Sequence, residues 1–382
     1  MDRLHKWLWL TVKCNITLAK VRNLIDYFGD IDKVYSAKPN EYLKLNFLDD
    51  KEMSRLANKS VDGIEGFLKT LSDNNVKVVT IDMPEYPYLL KHIYDPPFVL
   101  YCRGKFLNLN DYMPFSIIGT RKPTPYGINI VNDMAFKIAS EGMIVVSGMA
   151  FGIDSLAHKA ALKAGIPTVA VLGCGINRVY PPAHSSLMSE IMKTGMVISE
   201  YPPNTEPLKH HFPERNRIIA GISPGLLVVE ADIDSGSLIT SGIANDNGRD
   251  IFSVPGDINS LNSMGTNNLI KQGAFLTTSA DDVIDYYKSK KSTFFEKSYE
   301  ELLYKKQEKV AIKTNNEDAN LSKYPKLEDA ILMTLTSRPT HIDVIASTLK
   351  TSPESLSTIL LTMELNGDII SHPGDSYSLA IK

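Results

Sequence analysis

The sequence predicts an α/β protein built on a doubly wound, mostly parallel sheet, with an all-helical segment before it and a small helix-and-hairpin domain after it. Three observations predict this. Short β-rich runs alternate with helical stretches between residues 112 and 288; the runs are apolar almost throughout; and glycines follow directly on several of them. Near-continuously apolar strands need cover on both faces, which crossover helices supply. Right-handed crossovers then wind the sheet outward in both directions.

Residues 1–75 read as helical. Ile16, Leu18, Val21, Leu24, Ile25 and Phe28 recur at helical spacing and Gly29 stops the run, with short helices following at 51–58 and 62–72. Strands are expected at 76–81 and 98–101, separated by proline breaks. The alternating region offers strands at 115–118, 144–147, 168–172, 197–199, 226–230 and 251–254, and helices at 124–141, 153–164, 185–193, 215–221 and 237–247. Gly119, Gly148, Gly152, Gly173, Gly175 and Gly256 follow strands, at the carboxyl ends where helix N-termini converge and such sheets bind ligands.

Residues 289–325 are rich in Lys, Glu and Asn and poor in apolar side chains, which reads as a solvated linker with one helix at 298–310. Residues 326–382 turn compact again, with helices at 328–335, 341–349 and 353–366, the last capped by Ser352 with Pro353 in its first turn. Two short apolar runs then flank the turn His372-Pro373-Gly374-Asp375. Three helices and a hairpin make a winged helix. The expected domains are therefore 1–75, 76–288 (core 112–288), the linker 289–325 and the winged helix 326–382.

The 382 residues are 43% apolar and 22% charged, ordinary for a globular chain. Forty-one Lys and Arg against 44 Asp and Glu leave net −3. Binding of nucleic acid through bulk positive charge is excluded, and any such binding needs a local patch. Cys14, Cys102 and Cys174 are far apart and form no C-x-x-C pair, which argues against a zinc site and a disulfide framework and for a reducing compartment. The apolar opening is too short for a signal peptide, and no run approaches the roughly 18 apolar residues of a spanning helix. The expectation is a cytoplasmic protein with no membrane segment.

No G-x-x-x-x-G-K-[ST] and no G-x-G-x-x-G is present. The first core strand instead runs into Gly119-Thr120-Arg121, a tight turn beside a planar, permanently charged fork suited to phosphate. The densest signal is Lys209-His210-His211-Phe212-Pro213-Glu214-Arg215-Asn216-Arg217. Three cations with an interleaved aromatic suit unpaired nucleic acid: charge for the backbone, a flat ring for a base. The same residues admit a plainer reading, with Phe212 in the core and Arg215 and Arg217 paired to Glu200, Glu214 or Glu230.

The case for catalysis is poor. His210 and His211 are adjacent, so their side chains should diverge and make a poor metal pair. His158 and His184 read as surface or capping histidines, and Asp154 as a first-turn helix residue facing the macrodipole. Ser147, Ser235 and Ser237 lie in no G-x-S-x-G elbow. The third helix of the C-terminal domain contains no Lys or Arg over 353–365, which suits protein contact better than duplex readout.

These residues resemble a known family. Gly119-Thr120-Arg121, 146–154 (Val-Ser-Gly-Met-Ala-Phe-Gly-Ile-Asp), Gly173-Cys174-Gly175, Tyr180-Pro181-Pro182, 199–202 (Ser-Glu-Tyr-Pro), 212–221 from Phe212 to Gly221, Ser235-Gly236-Ser237 and Val254-Pro255-Gly256 follow in order across 112–288. The string resembles the DNA-processing protein A (DprA/Smf) family. The resemblance implies an extended Rossmann-like domain, an N-terminal SAM-like or helix-hairpin-helix module and a C-terminal winged helix. It implies a non-catalytic, cofactor-free, metal-free binder of single-stranded DNA that protects incoming strands in natural transformation and loads the RecA recombinase as a homodimer. Carried across, Gly119, Thr120, Arg121, Lys209 and Phe212 would hold the strand, with Arg215, Asn216 and Arg217 lining the same pocket. Many members have a basic residue after Tyr-Pro; this chain has Pro182 and Ala183, so Arg178 or His184 would have to supply that contact. An alternative is a phosphoribohydrolase-like enzyme on a related scaffold. The P-G-G-x-G-T-x-x-E string of such enzymes is broken here into Pro255-Gly256-Asp257 and a displaced Gly265-Thr266.

Overall fold

The structure is a computed structural model that describes residues 2–290 and, discontinuously, parts of 331–379. The chain divides into two compact units, 1–306 and 307–382.

Helices α1 (Arg3–Leu8), α2 (Leu18–Phe28), α3 (Ile31–Ser36), α4 (Pro39–Tyr42), α5 (Asp50–Ala57) and α6 (Ile64–Asp73) precede the sheet, and α1 runs into a π turn at Trp9–Lys13. Several start at sequence-encoded caps. Asp30 and Asp49 accept from the backbone N–H of Lys33 and Glu52, and Glu52 returns a bond to the Asp49 N–H.

Strands β1 (Val76–Thr80), β2 (Val99–Gly104), β3 (Pro114–Ile118), β4 (Ile144–Ser147), β5 (Thr168–Val171), β6 (Met196–Ser199), β7 (Gly225–Val228), β8 (Asp250–Ser253) and β9 (Phe275–Leu276) form one sheet in the order β1-β2-β6-β5-β4-β3-β7-β8-β9. From β6 to β9 all neighbours are parallel, while β2 pairs antiparallel with β6 and β1 with β2. The sheet is thus doubly wound and mostly parallel, as the alternation predicts. Strand order reverses between β3 and β7, and this switch point opens a crevice beyond the carboxyl ends of those two strands.

The connecting helices are α7 (Tyr88–Lys91), α8 (Pro125–Ser140), α9 (Ile153–Lys163), α10 (Ser185–Thr194), α11 (His211–Ile222), α12 (Gly236–Asp246), α13 (Leu261–Lys271) and α14 (Ala280–Ser289). The period of two along the edge strands separates two cores. Val76, Val78, Val99, Tyr101 and Val197 face the N-terminal helices, whereas Val79, Leu100, Cys102 and Ile198 face the main core of the sheet. The N-terminal helices therefore cover one face of the antiparallel edge, and Trp7 stacks on Phe98 with centroids 5.1 Å apart.

Four features differ from expectation. Helix α11 starts at His211 rather than 215. Helices α13 and α14 and the two-residue strand β9 were not expected. Gly265, Thr266 and three asparagines give α13 weak helix propensity, so tertiary packing holds it.

In the second unit, β10 (Thr340–His341), β11 (Ile369–His372) and β12 (Ser376–Leu379) form a three-stranded sheet, β10-β12-β11, and among the described residues α15 (Ile342–Thr348) packs against β10. Ile331, Leu335, Ile345, Leu356, Leu360 and Met363 are buried together. The expected linker beyond Lys290, with its helix at 298–310, lies outside the described residues, as do parts of the helices expected at 328–335 and 353–366. Among the described residues no helix is long and apolar enough to cross a membrane.

Candidate nucleic-acid interface

The end of β3 is locked into one path. A Cβ on Gly119 would come within 2.7 Å of Ile153 Cγ1 and 2.9 Å of the Glu230 carbonyl. Only glycine lets the chain pass between α9 and the end of β7. The Thr120 N–H donates to the Glu230 carbonyl at 2.7 Å, and the Glu230 carboxylate accepts from the Thr124 N–H and hydroxyl at 2.9 and 2.6 Å. The loop 119–124 is a fixed arch. Arg121 stands exposed on it and makes no ion pair among the described residues.

Helix α11 supplies the opposite wall. Arg215 is buried at 3% exposure, and its Nη1 donates to the Gly148 carbonyl at 2.7 Å and to the Val171 carbonyl. One guanidinium thereby ties together the carboxyl ends of β4 and β5. A side chain on Gly148 would meet Arg215 Nη1 and Asp154 Oδ2, each at 2.7 Å. Asp154 is buried too. Burial pushes its carboxyl above the usual range while Arg215 pulls it back, and burial lowers the Arg215 value. Asn216 accepts from Arg215 Nε at 3.2 Å.

Gly119, Thr120, Arg121, Arg215 and Asn216 line a cleft of about 590 Å³ together with Ser235, Gly236 and Ser237 at the start of α12. It lies at the β3–β7 switch point. An adjoining hollow of about 60 Å³ is lined by Arg121, Phe151, Tyr180, Phe212 and Arg215. Phe212 is half-buried. Its ring lies over Gly173, where a Cβ would sit 3.0 Å from Cδ1, and is tilted against Tyr180 with centroids 5.1 Å apart. Phe151 and Tyr180 are 49% and 42% exposed. A flat, partly open aromatic wall thus faces a guanidinium.

Two expected residues stand elsewhere. Arg217 is a correction to the expected pocket. Its Nη2 donates to Glu200 at 2.5 Å and its Nε to Asp95 at 3.1 Å, and Asp95 also pairs with Arg22 of α2. Two residues on from Arg215, it points roughly 200° around the helix. It anchors the N-terminal helices instead of lining the cleft. Lys209 is exposed in the turn before α11 and lines neither cleft nor hollow.

Neither proposed substitute for a basic residue after Tyr-Pro is free. Arg178 pairs with Glu206 at 2.6 Å and donates to the Asn204 carbonyl, while His184 is buried with Nδ1 2.9 Å from the Met149 carbonyl. His158 is also fully buried rather than a surface residue, with Nδ1 2.7 Å from the Thr168 hydroxyl. His210 and His211 do not diverge: their ring centroids are 4.5 Å apart. The two rings meet edge to face, with planes 73° apart.

Residues 77–288 match the family described as DNA recombination-mediator protein A, and residues 316–375 match the DprA winged helix domain. The chain belongs to this family. It is 40% identical over 218 residues to the DNA processing protein DprA of Bacillus subtilis (strain 168), covering 57% of this chain and 73% of the relative. It is 33% identical over 312 residues to protein Smf of Escherichia coli (strain K12), covering 81% and 79%. The solved structure of DNA processing protein A from Streptococcus pneumoniae superimposes with a TM-score of 0.65 at 33% identity, covering 75% of this chain and 98% of that one. A Helicobacter pylori structure that describes the single-stranded DNA binding mode of its DNA processing protein A gives a TM-score of 0.51 at 30% identity, covering 56% and 97%.

Sequence reasoning did not assign to the site Tyr180 and Phe151, which line the hollow, or Lys122, which lines the cleft. Tyr180 was visible beside Pro181 after the Gly173–Gly175 turn. Nothing in spacing alone could show that its ring meets Phe212 from another loop.

Proposed function

We propose that this chain binds single-stranded DNA without catalysis, shields it, and passes it to a RecA-class recombinase during DNA uptake, as a cytoplasmic homodimer. In this reading residues 76–288 are the strand-binding domain, 1–75 a SAM-like module that covers one face of its sheet, 289–325 a linker, and 326–382 a winged helix suited to protein contact. The observation that carries it is the guanidinium of Arg121, without an ion pair among the described residues, beside the switch-point cleft and facing the Phe212–Tyr180 wall of the adjoining hollow. Arg121 takes a phosphate and Gly119 and Thr120 let the backbone approach. Phe212 and Tyr180 take a base, and Arg215 and Asn216 keep the floor rigid. Lys209, at the turn before α11, meets a strand leaving the hollow. The single-stranded DNA binding described for the Helicobacter pylori relative supports the same assignment.

Base stacking on one ring contributes about 1–3 kcal/mol and tolerates any sequence. Backbone contacts add a salt dependence of roughly −0.7 per phosphate in log–log slope. The test is fluorescence anisotropy with labelled oligothymidylate and with duplex of equal length at two salt concentrations, followed by recombinase filament assembly on the bound strand. Preference for the single strand and faster assembly are expected. Equal affinity for duplex and single strand would sink the reading.

A further inference from the structure

We infer that His210, His211 and Glu214, at the first turn of α11, form a binding site for a borderline divalent transition-metal ion such as zinc(II). Among the described residues this is the one group of three such side chains whose ligand atoms all lie within 4.8 Å of one another. Two imidazole nitrogens and one carboxylate oxygen are the donor set that such ions take in preference to magnesium or calcium. The site is separate from the cleft and the hollow, which none of the three residues lines, and it does not depend on the strand-binding reading.

Two of the three ligands are already oriented by outer contacts. His211 has Nδ1 3.1 Å from the Glu206 carbonyl. A proton on Nδ1 donated to that carbonyl puts the lone pair on Nε2, the arrangement in which a ligating histidine is normally held. The Tyr201 hydroxyl donates to Glu214 Oε2 at 2.8 Å and leaves Oε1 to coordinate. The Tyr201 ring also stacks on His211, with centroids 4.0 Å apart and planes 28° apart. One tyrosine thus fixes the positions of a nitrogen and an oxygen ligand.

His210 is exposed and completes the set by rotating about its side chain. The helix N-terminus opposes a cation with about half a positive charge; the full negative charge of Glu214 outweighs it. Three protein ligands leave at least one coordination position for water or another oxygen donor. The three cysteines do not compete, because all are buried and burial pushes Cys14 and Cys102 up to about 12 and Cys174 to about 11.

The experiment uses the untagged full chain, stripped with chelator, and titrates zinc(II) against a competing chromophoric chelator. Cobalt(II) loading then reads ligand geometry by its visible spectrum. One equivalent of zinc and a cobalt spectrum of low coordination number are expected. His210→Ala and Glu214→Gln, both at exposed positions, should each weaken zinc at least tenfold and abolish that spectrum, while His92→Ala, on an exposed histidine elsewhere, should change neither. No zinc bound by the wild-type chain, or the same affinity in all three variants, overturns the site.

Discussion

The two ends of the parallel sheet are built from similar residue types and do opposite things with them. At the carboxyl end, Arg121 stands without an ion pair among the described residues above a cleft of about 590 Å³, beside partly exposed aromatic rings. At the amino end, a cavity of about 350 Å³ is lined by Leu89, Tyr112, Met113, Ile222 and Tyr287, and both of its cations are engaged, Lys290 by Asp250 at 3.2 Å and Arg249 by backbone carbonyls. Arg249 Nη2 donates to the carbonyls of Leu89 and Gly221 at 2.9 and 3.0 Å, so it caps the last turn of α11. Asp250 at the same end accepts from the Tyr286 and Tyr287 hydroxyls. The difference follows from chain direction. Crossover helices present N–H groups at the carboxyl end and spent carbonyls at the amino end, so helix carbonyls take up Arg249 at the amino end, while at the carboxyl end Arg215 is engaged by strand-end carbonyls and Arg121 is left for a ligand.

The largest effect that sharpens this comparison comes from Arg215. Replacing it with Ala strands the Gly148 and Val171 carbonyls and the buried Asp154 carboxylate, and should cost about 3–5 kcal/mol in urea unfolding. The exposed Arg121→Ala should stay within about 0.5 kcal/mol of wild type. If the two variants unfold alike, the division between a structural and a free guanidinium fails.

Acid titration is next. Burial pushes the His158 imidazole down to about 3, with His184 and Arg215 adding to the effect. This folded value lies below the unfolded value of about 6.5. The unfolded chain therefore binds the extra proton first. The stability that neutral His158 provides is intact above about pH 6.5 and drains away as pH falls toward 3. Thermal melts of His158→Gln should show a shallower loss between pH 6.5 and 4.5. An unchanged slope would assign acid sensitivity elsewhere.

Binding variants follow. Phe212→Ala should weaken single-strand affinity by about 1–3 kcal/mol, the worth of one stacked base, and Arg121→Ala should also reduce the salt slope by roughly 0.7. The smallest effect on binding belongs to the amino end. Arg249→Met leaves two carbonyls without a donor and should cost about 1–3 kcal/mol of stability, yet strand affinity should remain that of wild type by anisotropy.

Much of this was legible in the sequence, for reasons that differ by residue. The strands from 115 to 254 announced themselves because parallel strands buried on both faces are apolar throughout. Gly119 and Arg121 read correctly as a turn and a charge at a strand end, since both follow from local chain geometry. Arg217 did not separate from Arg215, because spacing does not say which side of α11 meets Glu200 and which meets Gly148; the plainer reading, an ion pair with Glu200, holds for Arg217 alone. Tyr180 against Phe212 and the covering of the β1–β2 edge by the N-terminal helices are long-range contacts that no local pattern encodes. That helix α11 begins at His211, four residues before the expected start, likewise shows in no local pattern.

The most direct test is photo-crosslinking of the full chain to an oligonucleotide carrying 5-iodouracil, with the adducts mapped by mass spectrometry. Adducts on Phe212, Tyr180 or Phe151, lost when unlabelled single strand competes, are the predicted result. Adducts confined to Tyr88, Tyr112 or the second unit would contradict the account.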